Sequence, residues 1–129
     1  MRFLLDTQVA YWWVVADGRL TRSAHRRVVQ NRCAVSVASI WEVAVKHRSR
    51  KLDIPPARFR DELTKAGAAI LAIGESHAIE TANVLLAHGD PFDRILVATA
   101  MVEGLHLLTA DAHLLDAADA NASLPIVPV

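Results

Sequence analysis

The sequence predicts an α/β domain of three layers, α/β/α, with a mainly parallel central sheet and helices on both faces. Short apolar runs of strand character alternate along the chain with segments of helical spacing. The composition agrees: 53% hydrophobic, with only 5 Gly and 5 Pro in 129 residues, is that of one compact domain spanning residues 1–129. A chain of this length buries roughly two-thirds of its unfolded surface, so its core needs no disulfide or structural metal. The single Cys33 is expected as a small buried residue on a strand.

Arg2 to Leu5 reads as a buried strand running through Asp6 into a helix over Thr7 to Val15, stopped by Asp17-Gly18. Leu20 to Asn31 has helical spacing with an Arg-rich face, and Cys33 to Val37 is a second strand. Ser39 opens the next helix, which carries Trp41, Glu42 and Lys46. Pro55-Pro56 starts a helix ending near Gly67, followed by a strand over Ala69 to Ile73 and a helix from about Glu75 to Ala87, closed by His88-Gly89. Asp90-Pro91 places a cap and a first-turn proline at the start of a helix that runs to Gly104. Leu105 to Leu108 is a fourth strand, Asp111 leads into a last helix, and Leu124 to Val129 supplies an edge strand that tolerates its prolines. Trp12 and Trp13 are adjacent on a helix and cannot both face one core, whereas Trp41 is expected in the core.

The start of the chain has no secretory signal, because Asp6 interrupts the first apolar run, and Ile95 to Val102 is too short to span a bilayer. The expectation is a cytoplasmic protein without a membrane partner. A formal net charge of zero argues against a generic nucleic-acid binder, but the charge is unevenly spread. Residues 1–65 carry 13 Lys/Arg against 6 Asp/Glu and residues 66–129 carry 1 against 8, net +7 and −7. A basic rim beside an acidic centre suits an enzyme that cuts phosphodiesters.

Parallel sheets bind ligands beyond the carboxyl ends of their strands. Asp6, Glu42, Asp93 and Asp111 all fall at such positions, and they converge if the first, second and fourth strands are neighbours. Each also has a structural reading. Asp6 and Asp111 suit helix N-caps, Ser39-Ile-Trp-Glu42 fits a capping box, and Asp93 is a first-turn acid favoured by the helix dipole. Jointly they make an all-oxygen set whose mutual repulsion calls for a cation, and such a set suits Mg²⁺ or Mn²⁺ rather than Zn²⁺. The six histidines show no paired ligand spacing and read as surface or cap residues; no Gly-rich phosphate loop or nucleophile elbow is present.

Leu-Leu-Asp6-Thr7, Ser36-x-x-Ser39-x-Trp41-Glu42, Asp90-Pro-Phe-Asp93-Arg94 and Leu-Thr109-Ala-Asp111, in this order, resemble the PIN-domain ribonucleases, and most closely the VapC-type toxins of bacterial toxin–antitoxin pairs. The resemblance covers essentially the whole chain. It implies a PIN-like fold, a homodimer, Mg²⁺- or Mn²⁺-dependent cleavage of RNA, and a cognate antitoxin that covers the acidic site. It carries the acidic quartet onto Asp6, Glu42, Asp93 and Asp111, and it makes Thr7 and Thr109 hydroxyls that orient carboxylates or water. Arg94 and the Lys46 to Lys51 segment are candidates for holding flanking phosphates, with ion pairs to Asp90 and Glu42 as the respective alternatives. Gln8 departs from the His usual in the subgroup. Two other readings stand beside this one. A haloacid-dehalogenase-type phosphohydrolase would need a second Asp at position 8, and a non-catalytic protein-binding module has no need of four acids.

Overall fold

The computed structural model describes residues 2–87 and 89–129. Phe3–Leu5 (β1), Ala34–Ser36 (β2), Ala69–Leu71 (β3), His106–Thr109 (β4) and Ile126–Pro128 (β5) form one sheet in the order β3-β2-β1-β4-β5, every neighbouring pair parallel. The first, second and fourth strands are therefore adjacent, with Leu4 in register with both Ala34 and Leu107. The helices are Thr7–Val14 (α1), Arg22–Gln30 (α2), Val37–Arg48 (α3), Pro56–Lys65 (α4), Glu75–Glu80 (α5), Pro91–Glu103 (α6) and Ala112–Ala120 (α7). Among the described residues no helix is long and apolar enough to cross a membrane.

The period-two geometry of a strand sends successive side chains to opposite faces, and both faces here are buried. Phe3, Leu5, Val35 and Leu108 pack with Val9 and Trp12 of α1, Val28 of α2, and Phe59 and Leu63 of α4. Leu4, Ala34 and Leu107 pack on the other side with Leu96 and Val97 of α6 and Leu114 of α7. Helix α3 contributes to both sides, through Val43 to the first cluster and Ala38 to the second. Burial of each large side chain in these clusters is worth about 1.5–3 kcal/mol, which fixes the strands firmly enough to hold charges at their ends. Cys33 is buried beside β2, donates its thiol hydrogen to the Val28 carbonyl, and is pushed up to about 11 by burial.

Four expectations are revised. Helix α3 begins at Val37 rather than Ser39, because the Ser36 hydroxyl accepts the Ala38 N–H as the true N-cap. Glu42 then lies in the second turn, too far along to close a capping box. Helix α5 ends at Glu80 and gives way to a single 3₁₀ turn, Thr81–Asn83, instead of reaching Ala87. The cause lies on both sides of the break: the Thr81 hydroxyl bonds back to the Ala78 carbonyl, and the Arg94 guanidinium of α6 takes the carbonyls of Thr81, Val84 and Leu86. The helix stop expected at His88 lies outside the described residues. Trp41 is 57% exposed rather than core, because Ala38, Ser39 and Val43 are the α3 residues turned inward, and its ring meets the edge of Phe92 at 4.9 Å. The α6 stop is as read: Gly104 takes the left-handed conformation at φ 66°, which a side chain would strain.

Candidate active site

Because β2, β1 and β4 are neighbours, the chain segments leaving their carboxyl ends share one edge of the sheet. A cleft of about 560 Å³ opens there, lined by Asp6, Glu42, Asp90, Asp93 and Asp111, with Arg19, Lys46 and Lys51 among its other walls. That volume is within the roughly 300–1,000 Å³ range of ligand sites.

Asp6 is the innermost acid, 7% exposed at the end of β1. It caps α1 by accepting the Thr7 N–H at 2.8 Å through Oδ1, while Oδ2 accepts the Thr109 hydroxyl of β4 at 2.7 Å. Thr109 also accepts the Asp111 N–H at 2.9 Å, so one hydroxyl ties two of the acids together. Asp111 in turn caps α7 through Oδ1 to the Leu114 N–H at 3.1 Å. The Thr7 hydroxyl turns instead to the buried Ser39 of α3, at 2.8 Å, and so fixes α1 against the helix that carries Glu42. Glu42 pairs with Lys46 one turn on, at 2.8 Å. Asp90 caps α6 by accepting the Phe92 and Asp93 N–H groups, which sets Asp93 in the first turn facing the same cleft.

The two ways of reading each acid are therefore not exclusive. Asp6 and Asp111 are N-caps that keep further lone pairs for the cleft. The electrostatic cost of gathering them is visible at two positions. Asp6 is raised to about 6, chiefly by burial, against which the Thr109 hydrogen bond works; Glu42 and Asp111 add repulsion. Asp93 is raised to about 7 by burial and then by the charges of Asp90, Asp6, Asp111 and Glu42. Among the described residues no three His, Cys, Asp or Glu side chains are already closed on a common metal-binding point. An open, all-oxygen, mutually repelling set fits Mg²⁺ or Mn²⁺, which keep much of their water and need only one or two direct carboxylates.

Several placements differ from or add to the reading of the sequence. Arg94 holds the carbonyls after α5, a clamp on the loop that leads to α6. Lys46 lines the cleft and also takes the ion pair with Glu42 that was its alternative. Asp90, expected as the cap of its helix and as the alternative partner of Arg94, is a fifth carboxylate on the cleft; its spacing of three from Asp93 at a helix start is the available signal. Arg19 on the rim had no signal at all, since it reaches the cleft through a turn closed by its own fork onto Asp17. His77, one of the six histidines, is a buried cap residue: its Nδ1 accepts the Gly74 N–H and its Nε2 meets Glu103 at 2.8 Å.

Comparison with known proteins accords with this geometry. Residues 3–120 match the model of the PIN domain. The chain is 31% identical over 117 residues to Ribonuclease VapC22 of Mycobacterium tuberculosis, covering 86% of this chain and 88% of that protein. Among solved structures, a DNA-bound VapBC from Salmonella typhimurium superposes with a TM-score of 0.70 at 18% identity, over 99% of this chain and 98% of the other. VapBC2 from Rickettsia felis, bound to a DNA fragment from its promoter, gives 0.68 at 11% identity with the same coverage. A toxin–antitoxin complex from Klebsiella pneumoniae gives 0.58 at 19% identity, over 96% and 94%. The structures share the fold; the family-model match, with the acids gathered where that fold brings strand ends together, makes this chain a member of the PIN-domain family.

Proposed function

We propose that the chain, read as one nuclease domain over residues 1–129, is a divalent-metal-dependent endoribonuclease working in the cytoplasm as the toxin of a toxin–antitoxin pair. The observation that carries this reading is the gathering of Asp6, Glu42, Asp93 and Asp111 on one cleft, where burial and mutual repulsion raise two of them toward neutral pH. The relative named a ribonuclease, 31% identical over most of both chains, gives the substrate class. The three solved VapBC and toxin–antitoxin structures of the same fold give the kind of partner, a cognate antitoxin.

Mg²⁺ or Mn²⁺ bound among these acids supplies an activated water and neutralises charge that develops on the scissile phosphate. The protein's share is positioning. Asp6, locked by Thr109 and by the Thr7 N–H, offers a direct ligand whose geometry is set by β1 and β4. Asp93 offers the second from the first turn of α6. Glu42 and Asp111 complete the set directly or through water. Lys46, Lys51 and Arg19 on the rim meet the flanking phosphates, which an acidic cleft would otherwise repel.

Total RNA incubated with Mn²⁺, with Mg²⁺ or with chelator tests the reading. Cleavage is expected with metal, none with chelator, and a loss of at least about 100-fold in Asp93→Ala with unchanged circular dichroism. Cleavage that survives chelation, or survives in Asp93→Ala, overturns it; metal-independent binding with no cleavage would favour a protein-binding module.

The homodimer is part of the same proposal. Val37, Trp41 and Val45 recur every four residues on α3 and are all exposed, a face of an α-helix suited to a second copy. Sedimentation is expected to show a dimer for the wild type and a monomer for Trp41→Glu; a dimer in both would move the interface elsewhere.

A further inference from the structure

Beside the acidic cleft lies a second one, of about 500 Å³, between the end of α1 and the start of α2. Trp12 lines both, so the two clefts adjoin across a single indole. Their charges are opposite. The second carries Arg22, His25 and Arg26, all exposed, and neither arginine is in an ion pair among the described residues. Asp17 also lines it but is spent on Arg19, which holds it through both carboxylate oxygens. The Arg19 guanidinium lies 5.3 Å from the Trp12 ring centre and faces the acidic cleft as well, so it stands on the boundary between the two. Trp13, half-buried, gives the second cleft an aromatic wall.

An RNA strand whose scissile phosphate sits among five carboxylates must place its neighbouring phosphates somewhere less repulsive. Unpaired arginines beside an aromatic wall are the chemistry that holds single-stranded nucleic acid: phosphate on guanidinium, base against indole. We propose that the cleft of Trp12, Trp13, Arg22, His25 and Arg26 is a subsite for an unpaired nucleotide of the RNA substrate flanking the cut, with Arg22 and Arg26 on its phosphate. This rests on the nuclease reading above and adds to it a second place of contact, on the α1–α2 side of the acids.

The test uses the full-length protein with Mn²⁺ and compares Arg22→Ala/Arg26→Ala with Arg60→Ala/Lys65→Ala, which removes two positive charges from α4, where both are already paired to acids. On a labelled single-stranded oligoribonucleotide, Arg22→Ala/Arg26→Ala is expected to raise KM about ten-fold with kcat held within about two-fold, and to reduce the salt slope of binding by about 0.7, as for one lost phosphate contact on a single strand. The α4 variant is expected to match the wild type. A dinucleotide without terminal phosphates carries only the scissile phosphate and presents none to Arg22 and Arg26, so it is expected to be cut equally by all three. Equal KM and salt slope in the two double variants, while the wild type still cleaves, overturns the subsite and leaves the nuclease reading intact; absence of metal-dependent cleavage in the wild type overturns the nuclease reading itself. Unchanged RNA kinetics together with lost affinity for an antitoxin would reassign the cleft to protein docking and equally overturn the proposal.

Discussion

The seat of Asp6 at the end of β1 and the seat of Asp93 in the first turn of α6 both raise a carboxyl toward neutrality, but out of different surroundings. Asp6 is buried and tethered: a backbone N–H holds one oxygen and the Thr109 hydroxyl the other, and these bonds offset part of the cost of burial. Asp93 is less buried and its carboxylate accepts no hydrogen bond among the described residues, while Asp90, Asp6, Asp111 and Glu42 all push against its charge. Asp6 is thus part of the fold that happens to face the cleft, whereas Asp93 is a charge the fold tolerates. On the proposed metal site, losing either acid is expected to remove the same chemistry and yet to have opposite consequences for the protein that remains.

The largest expected effect is shared. Asp6→Ala and Asp93→Asn should each lower metal-dependent RNA cleavage by at least about 100-fold. Thermal unfolding then separates them. At pH 5, with chelator, Asp6→Ala strands the Thr109 hydroxyl and the Thr7 N–H and removes the α1 cap, at a cost of about 1–3 kcal/mol. At pH 8, with chelator, Asp93→Asn removes a repelled charge and should raise Tm by several degrees. Equal and same-signed shifts in Tm for the two variants would break the contrast.

A smaller effect sharpens the account of Asp6. Thr109→Val keeps the shape of the buried side chain but deletes the hydroxyl that donates to Asp6 and accepts the Asp111 N–H. With that bond gone nothing on the β4 side opposes burial, so the Asp6 carboxyl should titrate higher still. The expected result is a loss of about 10- to 100-fold in metal affinity, read by titrating cleavage rate against Mn²⁺, with the rising limb of the pH–rate profile moved to higher pH. An unchanged Mn²⁺ dependence would mean that the Thr7 N–H alone holds Asp6.

The same contrast explains how much was legible in the sequence. Asp6 and Asp111 were readable because a strand end, an Asp-Thr or Thr-x-Asp pair and a helix start stand together in a few residues, and local chemistry alone places a cap there. The order of the strands, which decides whether those ends meet, was only a condition in the sequence. It is set by long-range packing of alternate faces such as Leu4 with Leu107 and Leu5 with Leu108. Tertiary partners override local signals at three places. Ser39 looks like a cap but is the buried partner of Thr7, the segment after α5 gives its carbonyls to Arg94 instead of continuing the helix, and Trp41 follows the outward face of α3 despite its size. Arg19 reaches the cleft by way of a turn geometry that no spacing rule encodes.

The smallest effect tests the electrostatic side of both seats at once. Asp6 and Asp93 have folded-state values of about 6 and about 7 against an ordinary 3.8, so between about pH 4 and 7 the folded protein binds more protons than the unfolded chain. Stability of the metal-free protein therefore falls as pH rises through that window, and the loss is complete above the folded value. Asp17, held down to about 2 by Arg19, has the opposite sign but acts only below about pH 4, outside the window. In chelator, Tm should drop by a few degrees from pH 5 to pH 8, and the drop should be visibly shallower in Asp93→Asn, where only the Asp6 contribution of this pair remains. Subtracting the two curves cancels the titrating groups that do not face Asp93 and leaves its own contribution with its coupling to Asp90, Asp6, Asp111 and Glu42. Adding Mg²⁺ should raise Tm more at pH 8 than at pH 5, because the cation binds the ionised acids. Parallel curves for wild type and Asp93→Asn would show that Asp93 ionises without strain, and the repulsion that calls for a cation in this cleft would then rest on Asp6 alone.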